Sequence, residues 1–397
     1  MYDFIPIILG TDFNSYSVAR CIHEKFNLKS VVCGSKKLIP FYKSQIADFY
    51  IEENFSSDDF IFKSVLNKVY EDYKHKTKNF IIFAPTESYI EILFKNLDFL
   101  DFDLQIPYAD KKLFEKYKLK KNFYKKMEEI EVLVPKTFKA TKENYKSIEI
   151  DGELFLKADD YDYFNSFDFT GKQKGYHSKN KSDATKILTN IFNSGFDGDI
   201  LVQQYIPGLD GSEYSVNGYR SEKGTISSSQ ARNILSDKRG MRIGNYIAQS
   251  DSNIEEIFEI TKKILVSLNY SGVFNLDFKI NPLDGKIYVF EMNMRQGRTF
   301  YYSTLGGVDP IFLAIKDLIY GEDIQLIQNK KFNNITQSKE AVINSLNGEL
   351  KDYFMDEERI KNTKNPIIYE SDSNFIRKCY LKRFLTKTDK EILNFSK

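Results

Sequence analysis

The chain has 397 residues, more than one ordinary hydrophobic core accommodates, so two to three domains of about 150 residues each are expected. Its 57 Lys and Arg against 56 Asp and Glu leave a net charge of +1, which supplies no global field for nucleic acid or an anionic membrane, so any partner must be recognised locally. Three scattered cysteines without a CxxC pair argue against a disulfide framework or a zinc site, and three histidines leave little room for imidazole-based catalysis.

The N-terminus, MYDFIPIILGTDFNS, has no basic leader, and its apolar run is too short for a signal peptide or a membrane span; a cytoplasmic protein is expected. Residues 4 to about 98 then alternate apolar strands with helical patterns. Strands are read at Phe4 to Leu9, Ser30 to Cys33, Phe49 to Glu52 and Phe80 to Ala84, and helices at Ser15 to Phe26, Asp58 to Tyr73 and from Thr86. This is the pattern of a small Rossmann-like parallel α/β unit, with its ligand crevice at the strand C-termini. Gly10, Thr11, Asp12, Asn14 and Ser15 follow the first strand and would line that crevice; a tight turn with a helix cap explains them equally well.

Pro107 and the change from Asp110 to Lys111 mark a boundary, giving a first domain at 1–110. A Lys-rich helix runs from there to about Ile130, and a strand is expected near Val132 to Phe138. Leu154 to Lys157 reads as a strand ending in a lysine. The following Phe169-Thr-Gly-Lys-Gln-Lys-Gly175 reads as a flexible cationic loop whose Lys172 and Lys174 could close over phosphates, a solvated basic turn being the alternative. After a helix at Ser182 to Asn193, the strand from Ile200 to Ile206 stops at Pro207-Gly208. Alternating strands follow at Glu213 to Arg220, Thr225 to Arg232 and Gly244 to Gln249, the last two enclosing Arg232, Lys238, Arg239 and Arg242.

A helix at Ile254 to Leu268 leads into the most informative stretch, Gly272 to Arg298. Two alternating runs, Val273 to Ile280 and Lys286 to Met294, flank Asn281-Pro-Leu-Asp-Gly285, a hairpin signal. Strict alternation puts Val273, Asn275, Asp277 and Lys279 on one face of the first strand. On the second it puts Ile287, Val289, Glu291, Asn293 and Arg295 together. Asp277 and Glu291 should face each other directly or diagonally, and two carboxylates with a carboxamide suit Mg²⁺, which shares its coordination with substrate phosphates. An exposed polar sheet face is the competing explanation. A last helix is expected at Asp309 to Tyr320, and residues 321–397 carry no chemical signature beyond a basic run from Arg377 to Lys387.

The order of these parts resembles the ATP-grasp superfamily of carboxylate-amine ligases. IPIILGTDFNSYSVAR, FTGKQKGY and EMNMRQGRTFYY most resemble the D-aspartate ligases of peptidoglycan cross-bridge synthesis, over about residues 4 to 320. The resemblance implies an ATP-grasp domain at 111–320, with a small lid at about 136–205 and a metal-bearing sheet at about 206–320. It implies ATP held by Lys120 (or its neighbour Lys121), Lys157, Lys172 and Lys174, adenine read by Gln203, Gln204, Tyr205 and Ile206, and ribose by Glu213. Asp277, Glu291 and Asn293 would hold two Mg²⁺ ions. Arg295, and with it Arg232 and Arg298, would hold the substrate carboxylate and the transferring phosphoryl group. Met294 stands where many relatives carry proline, and the loop is poorer in glycine than in many relatives.

The implied reaction activates an amino-acid carboxylate as an acyl phosphate and passes it to an amine. Here that is D-aspartate and the lysine side chain of a UDP-linked peptide. Phosphoryl transfer asks mainly for positioning and charge, so scarce histidines are no obstacle. A ligase for another amino acid or metabolite, or a nucleotide-binding regulator without chemistry, are the alternatives, and the oligomeric state, a dimer among the options, is left open.

Overall fold

The first expected unit forms as a four-stranded, wholly parallel sheet of β1 (Ile5–Leu9), β2 (Ser30–Gly34), β3 (Ala47–Ile51) and β4 (Phe80–Phe83), in the order β3-β2-β1-β4. The computed structural model describes residues 3–239 and 244–395, so Arg242 lies outside the described residues. β1, β2 and β4 are buried along their whole length, as strands covered by helices on both faces must be. Each flanking helix starts on a side-chain cap. Asp12 caps Phe13–Phe26, Asp58 caps Asp59–Tyr73 and Thr86 caps Glu87–Asn96. Gly10 turns the chain between β1 and its helix at φ +92°, and a Cβ there would meet the Tyr89 ring at 2.8 Å.

The expected Lys-rich helix divides into Lys111–Tyr117 and Lys120–Glu129. The halves have different anchors: Phe114 packs on Phe94 of the first unit, while the Tyr124 hydroxyl donates to the Phe290 carbonyl at 2.8 Å. The break brings Lys120 to the first turn of the second half. The strand expected from Val132 begins only at Thr137, because the preceding segment is drawn to another sheet, where Leu133 accepts from the Val289 N–H at 2.9 Å.

A second, antiparallel sheet contains β5 (Thr137–Ala140), β6 (Leu154–Ala158), β7 (Tyr176–Ser178) and β8 (Ile200–Gln204), in the order β5-β8-β6-β7. With the helix Lys181–Asn193 it encloses its own small core around Leu156, Leu188, Phe192 and Val202. The third sheet has seven strands: β9 (Glu213–Arg220), β10 (Ile226–Ser236), β11 (Tyr246–Ser252), β12 (Gly272–Ile280), β13 (Ile287–Asn293), β14 (Asn333–Ile335) and β15 (Thr363–Lys364). Their order is β13-β12-β9-β10-β11-β14-β15, so the segment after residue 320 extends this sheet at the β11 edge. Among the described residues no helix is long and apolar enough to cross a membrane.

The β12–β13 pairing corrects the expected alternation. Asp277 pairs with Glu291 but Phe278 pairs with Val289, leaving Phe290 as an extra residue in a bulge. Beyond it, Val289 and Ile287 turn to the buried apolar side, opposite Phe278 and Ile280, and Tyr288 joins Lys279. The two apolar residues that strict alternation puts beside Glu291 are thereby returned to the core. The polar face keeps its carboxylates.

Candidate active site

A cavity of about 1120 Å³ separates the second sheet from the third. Lys157 on β6, Lys174 in the 169–175 loop, and Gln203 to Ile206 at the end of β8 line one wall; Glu213, Asp277 and Glu291 line the other. Six separate segments of the chain are thus brought to one space. Gln203 is fixed by its amide donating to the Thr137 hydroxyl at 2.9 Å, and the N–H groups of Gln204 and Tyr205 donate to Lys136 and Glu153 carbonyls. Glu213 is held by the Tyr246 hydroxyl at 3.1 Å and the Lys279 ammonium at 3.4 Å.

Asp277 and Glu291 stand directly opposite each other on neighbouring strands. Burial and the Glu291 charge push the Asp277 carboxyl up to about 7. For Glu291, burial acts upward but is outweighed by Lys120, Lys157 and Arg295, which hold it at about 2. Two facing carboxylates therefore share one compensating cluster, and the second is left short of charge. Lys120 bonds Glu291 at 2.9 Å, and its ammonium is pushed well above the usual lysine range by Glu291 despite burial. Lys157 accepts its place from Tyr124, donating to that hydroxyl at 3.2 Å.

Among the described residues no three His, Cys, Asp or Glu side chains converge. A cation here would take two carboxylates and the Asn293 carboxamide, an all-oxygen set with room for phosphate oxygens, and that suits Mg²⁺. The deficit of positive charge at Asp277 is the observation that a cation fits. Asp277 is also oriented by its neighbours, accepting from the Ser215 hydroxyl at 2.9 Å and the Asn275 amide at 3.1 Å. A buried polar row extends from there across the sheet: Asn233 donates to Ser215, Gln249 to Asn233 and Asn334 to Gln249. A second branch runs from Asn275 to Asn217, whose carbonyl oxygen accepts from the Gly297 N–H at 2.7 Å. A Cβ on Gly297 would lie 2.6 Å from Asn275, so only glycine lets the chain leave β13 this closely.

The remaining expected residues fall in different places. Arg295 bonds Asn293 at 3.1 Å, lies 3.6 Å from Glu87, and keeps a buried Nε without a partner. Arg298 is exposed one turn on. The Gly10 to Ser15 turn meets this exit, since the Asn14 amide donates to the Pro85 carbonyl at 3.0 Å and to that of Gln296 at 3.5 Å, leaving its own buried oxygen unpartnered. The other polar groups of that turn serve it locally. Thr11 donates to Lys36, Asp12 caps the helix, and Ser15 donates to Asp12.

Two expected residues are not brought to the cleft. Arg232 pairs across β9 with Tyr214, on the face of Phe278 and away from Asp277, where it binds the Gly211 carbonyl and Glu349. One-residue alternation decides this. Lys172 turns under its own loop, donating to the Asn165 and Phe167 carbonyls at 2.7 and 2.6 Å. Ser215 and Asn217, missed in the sequence, were legible as the polar face of an alternating strand. Tyr124 and Tyr246 carried no such signal.

No family model matches the chain. It is 28% identical over 327 residues, 81% of its own length and 78% of the relative, to D-aspartate ligase of Enterococcus faecium (strain Aus0004). Its fold is similar to that of biotin carboxylase from Campylobacter jejuni, solved as a β,γ-ATP complex (TM-score 0.60, 16% identity, 80% of this chain and 71% of that one). It is similar too to L-amino acid ligase from Bacillus licheniformis (TM-score 0.57, 12% identity, 79% and 73%). At such identities the structural likenesses carry the fold, and the longer sequence likeness carries the chemistry class. In sequence and in fold the chain thus resembles the ATP-grasp carboxylate-amine ligases.

Proposed function

We propose that this ligase joins D-aspartate, through its side-chain carboxylate, to the lysine ε-amine of a UDP-linked peptidoglycan precursor peptide in the cytoplasm. The observation that carries the substrate is the likeness to D-aspartate ligase along 81% of the chain. ATP would lie in the cleft, with Gln203 to Ile206 against the base, Glu213 against the ribose, and Lys120, Lys157 and Lys174 against the phosphates. Asp277, Glu291 and Asn293 would hold Mg²⁺, an all-oxygen set that also admits phosphate oxygens, and two ions are expected there.

In the first step a carboxylate oxygen of the amino acid bonds to the γ-phosphorus and the bond from that phosphorus to ADP breaks. Bound Mg²⁺ supplies neutralisation of the phosphate charge that grows between them. Lys157 and Lys174 hold the phosphates in line, and Arg295 stands beside the acid. In the second step the amine nitrogen bonds to the acyl carbon, phosphate leaves with the electron pair, and the amine proton passes to a base. The Gly10 to Ser15 turn and the Arg295 to Arg298 segment, joined through Asn14 and Gln296, form the wall on which the amino acid would be read.

The test is a panel of D- and L-amino acids with ATP, scored by phosphate release in hydroxylamine, which traps acyl phosphates. D-Aspartate alone should give the hydroxamate, and adding the UDP-linked peptide should replace it with the amide. A signal from a different acid and none from D-aspartate would refute the substrate and leave the ligase class intact.

A further inference from the structure

The basic run from Arg377 to Lys387 has no part in the cleft. It lies on the C-terminal helix Phe375–Phe395, whose buried stripe is Arg377, Leu381, Leu385, Thr388 and Ile392. At 100° per residue Arg383, Lys387 and Lys390 lie opposite that stripe and Lys378 and Lys382 along its flank, all exposed. Of the two acids of this helix, Asp389 falls between Lys378 and Lys382 on one flank and Glu391 on the other flank. Asp389 is half-buried and accepts from the Ser338 N–H, and Glu391 pairs with Arg239 at 2.7 Å. In a chain of net charge +1, five exposed cations thus stand on the solvent side of one helix.

The same face begins with large apolar side chains in water. Phe375 is 80% exposed, Ile376 56% and neighbouring Ile368 52%. A second segment joins them. Tyr42 stacks on Tyr380 at 4.0 Å, Asn374 donates to the Lys43 carbonyl and Arg377 to that of Tyr42. This fixes the 36–43 loop beside the first turn of the helix and adds exposed Lys36, Lys37, Leu38 and Lys43. Lys37 sits close enough to Lys43 that burial and that second ammonium together push it below the usual lysine range. Glu340, Asp372 and Asp389 border the groove beside the helix, together with Lys378 and Lys382.

We propose that this face docks the ligase on an anionic phospholipid bilayer. Exposed Phe, Ile and Leu among lysines match an interface where apolar tips enter the acyl boundary and ammonium groups remain with the headgroups. The aliphatic members decide against nucleic acid, which rewards stacking aromatics and gains nothing from Ile368, Ile376 or Leu38. The clasp of Asp372 is why the face is rigid. Its carboxylate accepts from Tyr16, Ser44 and the Gln45 N–H, all in the first unit, and pairs with Arg377 at 3.4 Å.

The experiment is co-sedimentation of the full chain with phosphatidylglycerol/phosphatidylcholine vesicles and with phosphatidylcholine vesicles, at low and high salt. The expected result is binding to the anionic vesicles only, abolished by high salt. The triple variant Lys378→Glu, Lys382→Glu, Arg383→Glu should weaken it by about a hundredfold or more. The double variant Phe375→Ser, Ile376→Ser should weaken it about tenfold. Both should keep the wild-type melting temperature and ATP-dependent phosphate release. Equal binding to both vesicles, or anionic binding untouched by either variant, overturns the proposal. So does a wild-type dimer that the double variant dissociates without any vesicle binding, which would make the face a contact between copies. Binding of a single-stranded RNA in place of vesicles would overturn it as well.

Discussion

Lys120 donates to Glu291 at 2.9 Å, so the lysine proposed to hold the nucleotide and the carboxylate proposed to hold the metal neutralise each other. The carboxylate's other partner, Asp277, is left to titrate near neutrality. A cation entering between the two carboxylates has to share Glu291 with Lys120, and phosphates entering beside it offer the ammonium a new partner. With those proposed roles, the pair would couple nucleotide and metal binding.

Lys120→Met should therefore separate the two ligands. With no ammonium competing for Glu291, Mn²⁺ used as a probe should bind the nucleotide-free variant several-fold more tightly. The KM for ATP should rise about tenfold or more, a loss of about 1.4 kcal/mol for a charge-assisted phosphate contact. Calorimetry with Mn²⁺ and steady-state kinetics read the two effects; equal weakening of both would refute the competition.

Asp277 has a folded pKa above its unfolded one, so the metal-free protein holds an extra proton between about 4 and 7. Its ionisation opposes folding, and stability should fall as pH rises from about 4 to 7 and level off above it. Asp277→Asn should remove that effect. In EDTA it should be more stable than wild type at pH 8 by about 1–2 kcal/mol, allowing for solvent screening in the open cleft, and equal to it only below about pH 4. Ligase activity should fall by about a thousandfold because the metal loses a charged ligand. Urea unfolding at the two pH values checks the sign.

The two loop lysines should behave differently. Lys174→Met removes a cleft-lining cation and should raise phosphate release relative to amide formed. Lys172→Met removes the ties to Asn165 and Phe167 and should make the loop more protease-sensitive, with coupling less affected. Product-to-phosphate ratios and limited proteolysis distinguish them.

Gly297→Ala would set a methyl 2.6 Å from Asn275 and force the exit of β13 outward. The Gly297 N–H bond to Asn217 and the placing of Arg295 both depend on that approach. The expected cost is about 1–3 kcal/mol of stability, with a larger loss in kcat/KM for the amino acid than for ATP. A loss confined to ATP would place the acid elsewhere.

Much of this architecture is dictated locally. Apolar runs separated by capped helices determine a parallel sheet, and alternation in β12 puts Asn275, Asp277 and Lys279 on one face. Strand periodicity and turn residues need only their neighbours to act. The order of lysines, hinge strand and acidic hairpin was legible for the same reason, since each sits on a regular element.

Tertiary structure decided what periodicity cannot. The Phe290 bulge returns Val289 and Ile287 to the core, because a register shift costs less than two aliphatic side chains beside paired carboxylates. Arg232 and Lys172 carry the right charge, but the pleat of β10 and two nearby carbonyls turn them away from the cleft. The last 77 residues, from 321 to 397, bore no chemical signal, yet they extend the third sheet and clasp the first unit through Asp372 and Arg377. Those partners lie more than 300 positions away in the chain, and only the folded packing brings their charges together.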